Sequence, residues 1–492
     1  MSINVLENVK STEKKSSNIF RRKLIFERLM FRRPNVNVIM VARIKGNVAE
    51  EKLKLAIKQL REKHSLLAVR VEIDDEQNAW FKKGEVPEIP IEIIPRMSDD
   101  DWLQKIPEEL EYLFEFDKGP LIRFVLLQSQ EISDLIVNGH HTICDALGLT
   151  YLIKDVMNLL ENPNGDIKIL LDPPNFEEAI LNPPKVSFSF RLLMKFIKKR
   201  WDKKNISFNE RDYRTLHQEY WKNKNSVLLW SLTESQTSTI ISRCREEGIT
   251  VYSAICTAFQ AAQHEIQGNS NSYFQTLVMP VNLRNMLSVH VGEALALYAT
   301  STHPRLKYSS KKKFWEMARI FQKKIKSTIK KKDLLFKSAL KIQAMPPSLI
   351  DSFFFQKYAL LNDKLASRVL KAAGLNKLIF GYIISNLGRV DIPSEYGSLK
   401  LDTIFGPFIY SDPAEKYLSI VTLAGKINFS FTFKESVTSR STIEELRDTA
   451  MAYLGEAVGW EYSPQFYPKK KLICKTFAAF ETQQVSFKNN HI

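Results

Sequence analysis

Cysteine is scarce and scattered in this chain: Cys144, Cys244, Cys256 and Cys474 are the only four in 492 residues, and no two form a CxxC pair. Such spacing argues against a disulfide scaffold and against a structural zinc site, and it fits a reducing cytoplasm. Long apolar runs are missing as well. None reaches the roughly 18 residues that a membrane-spanning helix needs, which excludes a transmembrane protein. The opening eighteen residues hold no apolar core of the kind a secretory signal carries. Glycine is low at 17, against 30 Phe and 16 Tyr, and 44% of residues are hydrophobic. That is a globular composition, neither disordered nor fibrous, and the length favours two domains or one large pseudo-repeated unit.

Positive charge is what the chain has in excess, at a net +16. Its distribution is uneven. Residues 185–204 carry eight Lys or Arg and one acid, and residues 311–332 carry ten and one, so these two segments account for the whole excess. No RNP-like, zinc-finger or helix-turn-helix pattern accompanies them, and nucleic acid is not the expected partner. Two readings stay open: solvated helix faces, or a docking surface for an acidic carrier protein, the phosphates of coenzyme A or a lipid surface.

Hydrophobic patterning divides the chain. A β-rich run over Val36–Ile44 is followed by a helix with Leu53, Ala56, Ile57 and Leu60 on one face. Strands are expected at Leu66–Val71, Leu121–Leu127 and Leu135–Val137. A further helix is expected through Leu147, Leu149, Leu152, Val156 and Leu159. Pro173-Pro174 and Pro183-Pro184 then interrupt regular structure, and the stretch reads as a crossover linker. It contains a basic, imperfectly amphipathic helix around Phe190, Leu193, Phe196, Ile197 and Trp201, suited to packing on its own domains or lying on a membrane.

The second half starts afresh with a strand at Val227–Leu232, a capping box at Thr233 and Gln236, a helix at Tyr252–His264 and a strand at Phe274–Met279. Leu378–Ile384 is a buried-strand run. Tyr417–Leu423 and Ile427–Phe433 form a hairpin, and Ser441 with Glu444 caps a last helix. The chain is thus two α/β halves: 1–162, a linker over 163–225, then 226–460, with a tail at 461–492.

Chemistry concentrates at His140-His141-Thr142-Ile143-Cys144-Asp145, an HHxxxD string directly after a hydrophobic strand. Three readings are open. The histidines can end a strand and satisfy local backbone groups. Metal binding is the second, although adjacent side chains point apart and no third ligand accompanies His141 and Asp145. The third is general acid–base work, for which an imidazole with an ordinary pKa of about 6.5 is suited.

With its lead-in, this string resembles the coenzyme A-dependent acyltransferase superfamily, the group with the chloramphenicol acetyltransferase fold. That group includes condensation domains of nonribosomal peptide synthetases, polyketide-associated acyltransferases, wax-ester synthases and alcohol acetyltransferases. Lys63-His64-Ser65-Leu66-Leu67 sits where such proteins carry an Arg-His segment. Phe116-Asp117-Lys118-Gly119-Pro120-Leu121-Ile122-Arg123 resembles their lead-in to the histidine strand. Val281-Asn282-Leu283-Arg284 and Ser385-Asn386-Leu387-Gly388 resemble their second-half motifs.

The resemblance implies two chloramphenicol acetyltransferase-like α/β subdomains forming a pseudo-dimer with a central tunnel at their interface. It also implies that His141 is the general base for attack of an alcohol or amine on a thioester, with no acyl-enzyme. His140 and Asp145 belong to the catalytic set with it, and Cys144 is core. Asp145 holds the loop by pairing with an arginine; Arg284 is the preferred partner and Arg70 the reserve. Ala146 replaces the glycine that usually follows the aspartate. Ser385 and Asn386 would contact an oxyanion or the acceptor, although a plain turn explains Asn386 and Gly388 equally well. No permanently bound cofactor and no metal are expected. The donor is acyl-CoA or a phosphopantetheinyl acyl-carrier protein. The chain is expected to be a cytoplasmic monomer with scope for peripheral membrane contact. Two alternatives accompany the acyltransferase: a free-standing peptide-synthetase condensation domain, and a non-catalytic acyl-binding relative.

Overall fold

The computed structural model describes residues 21–460 except 166, 171, 175–178, 181–183, 224, 269–271, 332–335, 337–339, 373–379 and 410–413. The tail 461–492, Cys474, Pro183 and the start of the run at Leu378 lie outside the described residues.

Two six-stranded sheets organise the chain. Across the first the order is Glu395–Tyr396, Leu399–Phe408, Asn37–Lys45, Ile132–His140, Ile122–Gln128 and Ile91–Pro95. Its pairings are antiparallel except the last, between Ile91–Pro95 and Ile122–Gln128. The second sheet runs Ala299–Thr302, Leu277–Asn282, Phe380–Arg389, Ala414–Leu423, Lys426–Lys434 and Asn225–Ser231. A smaller sheet joins Arg21–Lys23, Ala79–Lys83 and Val69–Ile73. The chain is therefore α/β, built on two sheets.

Strand Asn37–Lys45 shows why the first sheet is buried on both faces. Side chains alternate across a strand. Val38, Met40, Ala42 and Ile44 enter one apolar cluster, with Leu53, Leu60, Leu152 and Val156 of the covering helices. Ile39 and Val41 enter another, with Trp102, Ile106 and Leu110 of helix Asp101–Glu111. In the second sheet Trp230 stacks on Phe429 at 4.9 Å between ring centroids, and helices Val251–Gln267 and Arg440–Val458 cover that face. The hairpin turn holds Ala424 at φ 47° and Gly425 at φ 79°, the left-handed pair that a two-residue β-turn requires.

Several details differ from the sequence expectation. Leu66–Val71 is not one strand: a 3₁₀ turn over Ser65–Ala68 precedes strand Val69–Ile73. Leu66 and Leu67 are consecutive and both fully buried in one cluster, which a strand's alternation onto opposite faces does not allow. Phe274 belongs to a short helical turn at Ser272–Gln275, before strand Leu277–Asn282. The last helix is capped by Ser439, whose Oγ accepts from the N–H of Thr442, two residues before the expected Ser441; Glu444 instead accepts from Arg440. Between 163 and 225 the expected basic helix forms at Phe188–Asp202, and a second, unexpected helix follows at Glu210–Tyr220. The second starts at a capping box of Asn209 and Asp212.

Candidate active site

The histidine strand Ile132–His140 lies inside the first sheet, with His140 opposite Asn37. Gly139 permits the sharp return of the chain after it, since a Cβ there would meet Cys144 Sγ at 2.8 Å. Backbone hydrogen bonds hold both histidines: His140 N–H donates to Leu121 O and His141 N–H to Val36 O. The turn then ends at Asp145, which caps helix Ala146–Glu161 by accepting from Gly148 N–H at 2.7 Å.

The two rings occupy different environments. His140 is buried, its Nδ1 3.0 Å from Thr142 Oγ1 and its ring edge-on to Phe116, with centroids 4.8 Å apart. Burial, and to a lesser degree the neighbouring His141, push its pKa down to about 3. Its ring is therefore neutral packing at physiological pH. His141 is half-buried, and its Nδ1 lies 2.7 Å from the carbonyl oxygen of Cys144. A carbonyl can only accept, so the proton belongs on Nδ1 and the lone pair on Nε2. Nε2 has no hydrogen-bond partner among the described residues and is not occluded. Burial draws the pKa of His141 below 6.5, partly opposed by the Cys144 carbonyl and by Asp145. The ring is thus fixed in one tautomer, neutral, with an available basic nitrogen.

Asp145 is held from the other half of the chain. Arg284 Nη1 donates to Oδ2 at 2.7 Å and Nη2 to Oδ1 at 3.0 Å, and the N–H of Tyr298 donates to Oδ2 at 3.0 Å. With Gly148 this gives the buried carboxylate four donors, a bidentate fork among them, which offsets the cost of removing its charge from water. Arg284 follows strand Leu277–Asn282, and its backbone N–H donates to Asn282 Oδ1. Arg70, the reserve partner, lies elsewhere, paired with Glu72 and Glu85. Cys144 is fully buried and burial pushes its thiol pKa well up, so it is a protonated core group.

Ser385 and Asn386 lie within strand Phe380–Arg389, at an irregularity where Asn386 Oδ1 accepts from Gly388 N–H. Neither hydrogen-bonds to the histidine turn among the described residues. Ile383 and Leu387 belong to the same large apolar cluster as Ile143, Cys144 and Leu149. A small cavity lined by Arg33, Asn37, Phe114 and Tyr213 touches His140 and not His141, so it does not outline the expected tunnel. Among the described residues no three His, Cys, Asp or Glu cluster as metal ligands would.

Sequence reasoning missed Asp155. It lies on the buried face of helix Ala146–Glu161, 2.9 Å from His64 Nε2 and 2.7 Å from Lys63 Nζ. Burial raises its pKa, but the His64 and Lys63 hydrogen bonds outweigh that and bring it below the ordinary carboxylate value. An acid flanked by Leu152 and Val156 on an apolar stripe is the signal that could have found it.

The family model described as Condensation domain matches residues 11–377. No curated protein matches the chain in sequence. Solved structures share its fold at low identity. Trichothecene 15-O-acetyltransferase TRI3 from Fusarium sporotrichioides is 13% identical with a TM-score of 0.63, covering 89% of this chain and 95% of that one. The EpoB NRPS cyclization-docking bidomain from Sorangium cellulosum is 13% identical with a TM-score of 0.59, covering 91% and 87%. Polyketide synthase associated protein 5 from Mycobacterium tuberculosis is 14% identical with a TM-score of 0.56, covering 88% and 98%.

Proposed function

The chain belongs to the condensation-domain family, and from that premise we propose that it is an acyltransferase with His141 as general base. The acyl group passes from a thioester, of coenzyme A or of a carrier protein, to an alcohol or amine. The observation that carries this reading is the Nδ1 contact of His141 with the Cys144 carbonyl, which leaves Nε2 as a proton acceptor. As the acceptor heteroatom attacks the thioester carbon, Nε2 takes its proton. The tetrahedral intermediate then expels the thiolate, which receives the proton back from the imidazolium. General-base help of this kind is worth about 10²–10⁴ in rate. Asp145 and Arg284 position the ring by bracing the turn and stay out of the proton transfer.

Two further assignments belong to this reading. Ser385 and Asn386 serve the oxyanion or the acceptor from the second sheet. The helix Phe314–Ile329 buries Met317, Phe321 and Ile325 and turns most of its lysines outward, which suits an acidic carrier or the phosphates of coenzyme A.

The test offers wild type and His141→Ala a panel of acyl-CoA and acyl-carrier thioesters with alcohols and amines, at low and high salt, read by intact mass. Wild type forms an ester or amide and His141→Ala loses about 10²–10⁴ in turnover. Undiminished turnover in the variant removes the base assignment, and salt-independent turnover removes the docking role of the basic helix. A product joining two carrier-bound substrates identifies a free-standing peptide condensation domain.

A further inference from the structure

Among the described residues, helix Phe188–Asp202 is anchored on one side. Met194, Ile197 and Trp201 pack on Leu349, Phe353 and Leu370, and the Trp201 indole N–H donates to Ser348 Oγ at 2.9 Å. The other side presents apolar side chains to solvent: Phe188 is 80% exposed, Leu192 57%, Leu193 51% and Phe196 57%. Phe188, Leu192 and Phe196 follow i, i+4, i+8 and form one row, with Leu193 next to it. Among the described residues, four of the twelve exposed large hydrophobics fall on this one helix, which makes a patch and not a scatter. Arg191, Lys195, Lys199 and Arg200 are exposed around the row, in a segment that carries eight basic residues and one acid.

We propose that this helix docks the protein on an anionic phospholipid surface, with Phe188, Leu192 and Phe196 entering the headgroup–acyl boundary and the basic residues meeting lipid phosphates. An amphipathic helix lying in the plane of the interface binds by that combination. Charge complementarity selects the occupant. A second copy of this chain would bring one strongly basic face against another, and like charges facing each other oppose association. The row also stands out from the surface, as the exposure of Phe188 shows. A lipid boundary accepts such a ridge without a matching groove. No helix among the described residues is long and apolar enough to cross a membrane, so the contact is interfacial.

The experiment is co-sedimentation of the full chain with phosphatidylcholine vesicles, with and without phosphatidylserine, at low and high ionic strength. Wild type binds the anionic vesicles, prefers them to the neutral ones, and is partly released by salt. Phe188→Ser with Phe196→Ser lowers the vesicle affinity by about tenfold or more. Lys195→Glu with Lys199→Glu removes the preference for phosphatidylserine. All four positions are exposed, so unchanged thermal melting shows that the variants are folded. Wild type that stays in the supernatant with anionic vesicles overturns the proposal, as do double variants that bind like wild type. Light scattering that finds a dimer broken by Phe188→Ser overturns it too, by making the face a contact between copies. None of these outcomes depends on the acyl-transfer reading.

Discussion

Two small constraints act on the His141 ring, the proposed base. The Cys144 carbonyl sets the tautomer, and partial burial keeps the ring neutral by drawing its pKa below 6.5. For the proposed base the acid limb of kcat/KM is centred below pH 6.5, because a base works in its unprotonated form and the lowered pKa keeps it so to more acidic pH. A pH–rate profile checks this, and an acid limb centred above 6.5 would contradict the burial argument. The adjacent His140 cannot substitute, since packing among Phe114 and Phe116 and a pKa of about 3 remove it from proton traffic. Two neighbouring histidines thus receive different environments from their surroundings.

At the scale of elements, most helices and strands were legible because they follow a period. Leu53, Ala56, Ile57 and Leu60 are all buried on helix Glu50–Lys63, and the Thr233–Gln236 capping box forms as read. The fold departs from the local pattern where a signal has two solutions. Ser439 and Ser441 both precede the last helix, and only the folded chain places Ser439 Oγ at an N–H. Ser439→Ala therefore costs about 1 kcal/mol in urea unfolding while Ser441→Ala costs little; the reverse order would restore the expected cap. Strand Phe380–Arg389 extends through Ser385 and Asn386, whose turn-like residues suggested that it ended earlier. Pairing with Ala414–Leu423 continues past them across a bulge.

For the whole molecule, the decisive contacts are those between distant parts of the chain. Arg284 reaches Asp145 across 139 positions. Strand Leu399–Phe408 leaves the second half to pair with Asn37–Lys45, so the first sheet is not made by the first half alone. Breaking the buried ion pair from one side leaves an uncompensated charge. Arg284→Ala or Asp145→Ala should then destabilise by about 3–5 kcal/mol. The double variant should cost clearly less than the two single losses together, measured as a double-mutant cycle in denaturant. Additive losses would mean that the pair contributes no coupling between the halves.

The order of residues by itself determined the α/β alternation, the position of HHxxxD after a strand and the concentration of charge in two segments, because each depends on local period or composition. The bidentate pairing of Arg284 with Asp145, which histidine keeps an unoccluded nitrogen and which side of helix Phe188–Asp202 faces water were fixed by tertiary structure. The physical reason is common to all three. Each is a competition between surroundings, and those surroundings come from segments far apart in the chain.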